Sequence, residues 1–148
     1  MKFTEKINED LKSAMKAKEP ARLRTIRAIK SAILLAQTDG SGEEVTDDKA
    51  MKILIKLMKQ RKDSLDIYQK QNREDLAAVE QEEIDVLQSY LPQPLSEAEI
   101  EAEVQAIINQ VGANSMQDMG KVMGVASKAM AGKADGKIIS QIVRKLLS

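Results

Sequence analysis

Apolar positions recur at three- and four-residue steps along almost the whole chain, and no segment alternates with the two-residue period of a half-buried strand. The pattern predicts an all-α protein. A first helix is expected over about Thr4 to Lys18, with Ile7, Leu11, Ala14 and Met15 on one stripe. It stops before Pro20, whose ring disfavours helix at the preceding residue. A second helix starts near Pro20, carries Leu23, Ile26, Ile29, Ile33 and Ala36, and ends in the polar, flexible loop Asp39-Gly40-Ser41-Gly42. Thr46 is placed to cap a third, with Asp47 and Asp48 set against the positive end of its dipole. That helix is expected to reach Gln71 and to bury Ala50, Ile53, Leu54, Leu57, Met58, Leu65 and Tyr68. Asn72 then caps a fourth, which ends near Tyr90.

Two prolines in Leu91-Pro92-Gln93-Pro94-Leu95 cannot continue a helix and mark a stiff link. The expected organisation is therefore an N-terminal, bundle-like four-helix domain over 1–91, a linker over 92–95, and a small three-helix C-terminal domain over 96–148. Ser96 and Glu99 match a capping box that opens the fifth helix, and Gly112 closes it. Ser115 with Asp118 reopens a sixth, Gly132 closes that, and Asp135 caps a seventh that runs to the carboxyl end. Met116, Met119, Met123, Ala126 and Met130 recur at helical spacing and read as a deformable core face.

With 148 residues, no cysteine and no histidine, the chain lacks thiolate nucleophiles, disulfides, cysteine-ligated zinc and the usual general base near neutral pH. No catalytic residue, metal ligand set or cofactor is expected. Glu97 and Glu101 lie on one side of the fifth helix and Glu99 and Glu103 on another, which suits a solvated face rather than an acid–base pair. The polar amino terminus and the short apolar runs predict a cytosolic protein that neither enters nor spans a membrane. Phe3, Tyr68 and Tyr90 are the only aromatic residues, too few for a base-stacking platform.

Charge cancels over the whole chain, 23 basic residues against 23 acidic, yet it is sorted locally. Lys49, Lys52, Lys56, Lys59, Arg61 and Lys62 follow one another without an acid, while Glu74 to Asp85 holds six acids and no base. The four lysines share one helical face. They can meet phosphates, or they can be a solvated face drawn to the acidic helix that follows. Residues 96–118 carry five acids and no base; beyond them, Lys121, Lys128, Lys133, Lys137, Arg144 and Lys145 face only Asp135. Lys133 and Lys137 bracket the start of the last helix, where free backbone amides favour an anion. Gly120 and Gly124, together with Gly132 and Gly136, are candidates for close approach, since a helical glycine costs about 1 kcal/mol relative to alanine. Gly132-Lys133-Ala134-Asp135-Gly136-Lys137 is one residue short of a nucleotide-binding loop, lacks its serine or threonine and follows no strand, so nucleotide hydrolysis is rejected.

Met58-Lys59-Gln60-Arg61-Lys62-Asp63-Ser64, Tyr90-Leu91-Pro92, Asp118-Met119-Gly120-Lys121-Val122-Met123-Gly124 and Gly132 to Lys137 together carry a family pattern. On these segments the chain resembles the YqeY family, also called GatB/YqeY domain proteins, from near Leu11 through Leu147. Its last third is similar to the tRNA-contacting tail of GatB, a component of the glutamine-dependent amidotransferase that acts on misacylated Glu-tRNA(Gln) or Asp-tRNA(Asn). That similarity falls on Gly120, Val122, Met123, Gly132, Ala134, Lys137, Ile138 and Ile139. Asp135-Gly136 replaces the Asn-Pro of that tail, which keeps a capping side chain and loses the proline. The resemblance implies a family-specific N-terminal domain and a three-helix tail. The amidotransferase's catalytic body has no counterpart in residues 1–91.

Three functions follow as expectations. The first is a non-catalytic accessory protein that binds tRNA or another structured RNA through Lys121, Lys128, Lys133, Lys137, Arg144 and Lys145, with Lys49, Lys52, Lys56 and Lys59 as a secondary basic face. The second is an adaptor that docks a protein partner through its helical faces. The third is a share in carbon–nitrogen ligation with glutamine as amido donor, carried out only with a partner enzyme. Oligomeric state is not legible in the sequence.

Overall fold

A computed structural model describes residues 2–40 and 44–148, and every structural statement below concerns these. Seven α-helices and one 3-10 turn account for the regular structure, and no strand occurs among the described residues, so the protein is all-α. The chain packs into two compact units, Met1–Leu91 and Pro92–Ser148, each with its own core.

The first unit holds α1 (Phe3–Ala17), α2 (Pro20–Gln37), α3 (Asp47–Lys70) and α4 (Glu74–Gln88). Lys18, left-handed at φ 54°, ends α1, and Pro20 then opens α2 at a first-turn position that needs no amide donor. Thr46 caps α3 by accepting from the Lys49 amide at 3.2 Å. Ile7 and Ala14 from α1, Ile26, Ile29 and Ile33 from α2, Ala50, Leu54 and Met58 from α3, and Ile84 and Leu87 from α4 form one apolar core. Tyr68, expected in this core, does not pack against it. Asn72 is not the cap of α4 either; it turns through φ 57° and Arg73 occupies the cap position without a side-chain hydrogen bond. Asparagine tolerates this left-handed conformation, so it serves the turn rather than the helix start. The Ser41-Gly42 half of the expected polar loop lies outside the described residues.

Two polar ties lock the four helices. Glu83 on α4 is buried, 8% exposed, and accepts from Arg24 Nε of α2 at 3.1 Å, while Arg61 Nε of α3 stands 3.5 Å from its other oxygen. Arg24 also donates to Glu82 at 3.1 Å, and Arg61 Nε, itself buried, has no better-aligned acceptor. One turn back, burial and then the Glu83 charge push the Glu80 carboxyl above the ordinary range. The second tie is Tyr90, just beyond α4, whose hydroxyl donates to Asp10 of α1 at 2.6 Å. Its ring meets Phe3 edge-on at 5.8 Å and carries the Lys6 ammonium 5.4 Å from its centre.

The second unit is a three-helix tail: α5 (Glu97–Val111), the 3-10 turn Met116–Asp118, α6 (Met119–Ala129) and α7 (Gly136–Leu147). Ser96 and Glu99 form the reciprocal capping box, Gly112 ends α5 at φ 71°, and Asp135 caps α7. Ile100, Val104, Ile107, Ile108, Val122, Ala126, Met130, Ile139, Val143 and Leu147 build its core. Met119 and Met123 pack against that core, but Met116 is exposed. The 3-10 turn takes it off the stripe that a continuous helix would have kept.

Replacing Glu83 with alanine strands the half-buried Arg61 guanidinium and leaves Arg24 with Glu82 alone. It is expected to cost roughly 2–3 kcal/mol in denaturant unfolding, less than a fully buried pair because Arg24 is partly solvated. Tyr90 sets a pH dependence. Burial first, and then the bond to Asp10, hold its phenol above the ordinary tyrosine value, so the fold favours the neutral form. Its contribution is whole below the unfolded-state value of about 10 and is lost as pH rises beyond it. Unfolding midpoints at neutral and strongly alkaline pH should therefore diverge more for the native chain than for Tyr90→Phe; equal divergence refutes this.

Candidate nucleic-acid interface

Helical periodicity turns Val122 and Ala126 of α6 into the core, which leaves Gly120, Lys121, Gly124, Val125 and Lys128 on the outward side. With Ala129 these residues line a shallow, open depression. A Cβ added at Gly120 or Gly124 would meet nothing within 4 Å, and neither residue has a positive φ. Neither backbone conformation nor packing therefore demands glycine here. Gly132 differs: at φ 77° it makes the turn that separates α6 from α7. Gly136 opens α7 and also has open space at its Cβ position.

The six tail cations do not gather at one point. Lys121 and Lys128 stand on the outward face of α6; Lys137 and Arg144, seven residues apart, share the face of α7 opposite Ile139 and Val143. Lys133 sits exposed in the intervening turn. Lys145 is turned to Glu101 of α5 at 3.8 Å, and the other five make no ion pair among the described residues. The turn itself is tied down, because the Leu95 amide donates to the Lys133 carbonyl at 2.8 Å. Asp135 accepts from the Lys137 amide at 2.9 Å, so the protein's own carboxylate occupies the helix start where an outside anion was expected.

On α3 the structure separates two kinds of cation. Of the acids of α4, Glu82 and Glu83 are met by Arg24 and Arg61 and Asp75 by Arg73, none by the lysine row among the described residues. Lys49 pairs with Asp39 at 3.8 Å, whereas Lys52, Lys56 and Lys59 are exposed and make no ion pair among the described residues. No ion pair joins this row to the acidic helix among the described residues, and the row is a solvated face. Sequence reasoning missed Arg24 altogether, and nothing in the spacing of α4's acids singles out Glu83.

Among the described residues no group of three or more acidic side chains is placed to hold a metal, and no helix is long and apolar enough to cross a membrane.

The YqeY-like protein family model matches residues 4–147. Several fungal proteins named "Altered inheritance of mitochondria protein 41, mitochondrial" are similar. The one from Lachancea thermotolerans is 38% identical over 107 residues, covering 71% of this chain and 57% of that protein. The one from Vanderwaltozyma polyspora is 37% identical over 107 residues, covering 71% and 58%. That from Pyrenophora tritici-repentis is 31% identical over 146 residues, covering 96% and 79%. The chain thus spans less than three fifths of the first two relatives.

These names overturn the cytosolic expectation and point to mitochondria instead. The polar amino terminus argued only against an apolar secretory core, and mitochondrial addresses are amphipathic and basic rather than long apolar runs.

Because Gly124 lies inside α6 with free space around it, Gly124→Ala is expected to stabilise the tail by about 1 kcal/mol. A lower unfolding midpoint would show that something packs there after all. The match over residues 4–147 carries both units of the fold, and the chain belongs to the YqeY family.

Proposed function

We propose that this chain is a non-catalytic accessory protein that binds structured RNA, tRNA foremost, through the outward face of α6. One observation carries the reading. Gly124, inside α6, forgoes about 1 kcal/mol relative to alanine and Gly120, in the first turn, forgoes less, and no atom among the described residues approaches closely enough to offset that. Gly124 lies between two exposed cations without acidic partners among the described residues, Lys121 and Lys128, and Gly120 directly precedes the first of them. Such a face lets a sugar–phosphate backbone approach the helix main chain while ammonium groups hold the phosphates on either side. The likeness of Gly120, Val122 and Met123 to the amidotransferase tail supports the same reading. Lys137 and Arg144 on α7 widen the positive field without belonging to the same row. Any reaction belongs to a partner enzyme on this reading, because no cysteine or histidine is present and the buried carboxylate of Glu83 is taken up by Arg24 and Arg61.

A protein-docking role has its own observation, which is not the methionine face, since Met119, Met123 and Met130 pack in or against the core. Leu34 and Leu35, adjacent on α2, are 59% and 74% exposed.

Anisotropy titration of the full chain with total tRNA across a salt series tests the RNA reading. Lys121→Gln with Lys128→Gln should lower the slope of log affinity against log salt by about 1.8, at about 0.9 per phosphate contact. Gly124→Ala should weaken binding although it stabilises the helix. Unchanged binding in both variants would remove α6 from the interface.

A further inference from the structure

We propose that Lys52, Lys56 and Lys59 on α3 form a second surface for the phosphate backbone of RNA, independent of the tail. Spaced by four and three residues, they share the face of α3 opposite Leu54 and Met58. At 1.5 Å per residue the row is about 10.5 Å long. All three are exposed and make no ion pair among the described residues, even though α4 beside them is acidic. Their lack of partners has a structural cause. The row points away from Leu54 and Met58, the side of α3 turned to the core, and Glu82 and Glu83 of α4 are already engaged by Arg24 and Arg61, whose planar guanidinium groups suit a partly buried carboxylate better than an ammonium does. Lys49 next to the row is held by Asp39, and Lys62, exposed and likewise without an ion pair among the described residues, follows one turn past its far end before Asp63.

The chemistry of the face selects its occupant. No large apolar side chain between Lys49 and Gln60 is exposed, so nothing there would insert into a lipid surface. Protein interfaces are depleted in lysine and centred on aromatic or apolar anchors, and the row has neither. A regularly charged polyanion needs only the ammonium groups, and it gains by releasing the counterions it carries.

The test uses the full chain, an RNA hairpin as probe, and anisotropy over a salt series. Lys52→Gln, Lys56→Gln and Lys59→Gln are combined in one variant and compared with the paired α6 variant described above. Circular dichroism and a thermal melt establish that each is folded, as exposed positions allow. The triple variant is expected to lower the salt slope by about 2.7 and to leave less bound RNA at every salt concentration. An unchanged slope overturns the proposal. So does binding to phosphatidylcholine–phosphatidylglycerol vesicles but not to the hairpin, which would make the row a lipid contact. The two sites fail separately. Loss in the triple variant alone supports the α3 row and removes α6; loss in the α6 variant alone does the reverse; no RNA binding by the native chain removes both.

Discussion

A carboxylate cannot be withdrawn from water into a helical bundle unless cations go with it, and burial of Glu83 imposes that condition on the first unit. Arg24 arrives from α2 and Arg61 from α3, so one acidic side chain ties three helices whose apolar faces alone would tolerate sliding. The same condition sorts the charges. Arginine, with its planar donors and weaker hydration, enters the partly buried cluster; lysine, strongly hydrated, stays outside on α3. Charge that the sequence shows as two opposed helices is thereby neutralised at one face and left open at another.

The family segments divide along the same line. In Met58 to Ser64, Met58 fills the core and Arg61 meets Glu83; in Tyr90-Leu91-Pro92, the tyrosine reaches back to Asp10 and Phe3. Gly132 supplies a left-handed turn. These residues are accounted for by the fold. Gly120 and Gly124 are not, since neither packing nor backbone geometry in the tail requires them, and the functional reading rests on that contrast.

Helices and their ends were legible wherever a local chemical signal exists: Thr46, the Ser96–Glu99 box, Gly112 and Asp135 each act within one turn of chain. What escaped the sequence depends on neighbours distant in the chain. Glu80, Glu82, Glu83 and Asp85 look alike until α2 and α3 pack beside one of them. Met116 keeps the helical period but loses the core when the backbone tightens into a 3-10 turn. Asn72 can serve a cap or a left-handed turn, and only the α3–α4 geometry selects between them. The basic residues of the tail were legible as a set. Their division between α6, α7 and the Glu101 contact was not, because it follows from which face each helix turns to the core.

The most direct measurement is lysine-labelling footprinting of the full chain, read by mass spectrometry with and without structured RNA. Lys121 and Lys128 should lose reactivity when RNA is present, while Lys145, already turned to Glu101, should change least. Equal reactivity of Lys121 and Lys128 in both samples would contradict the account.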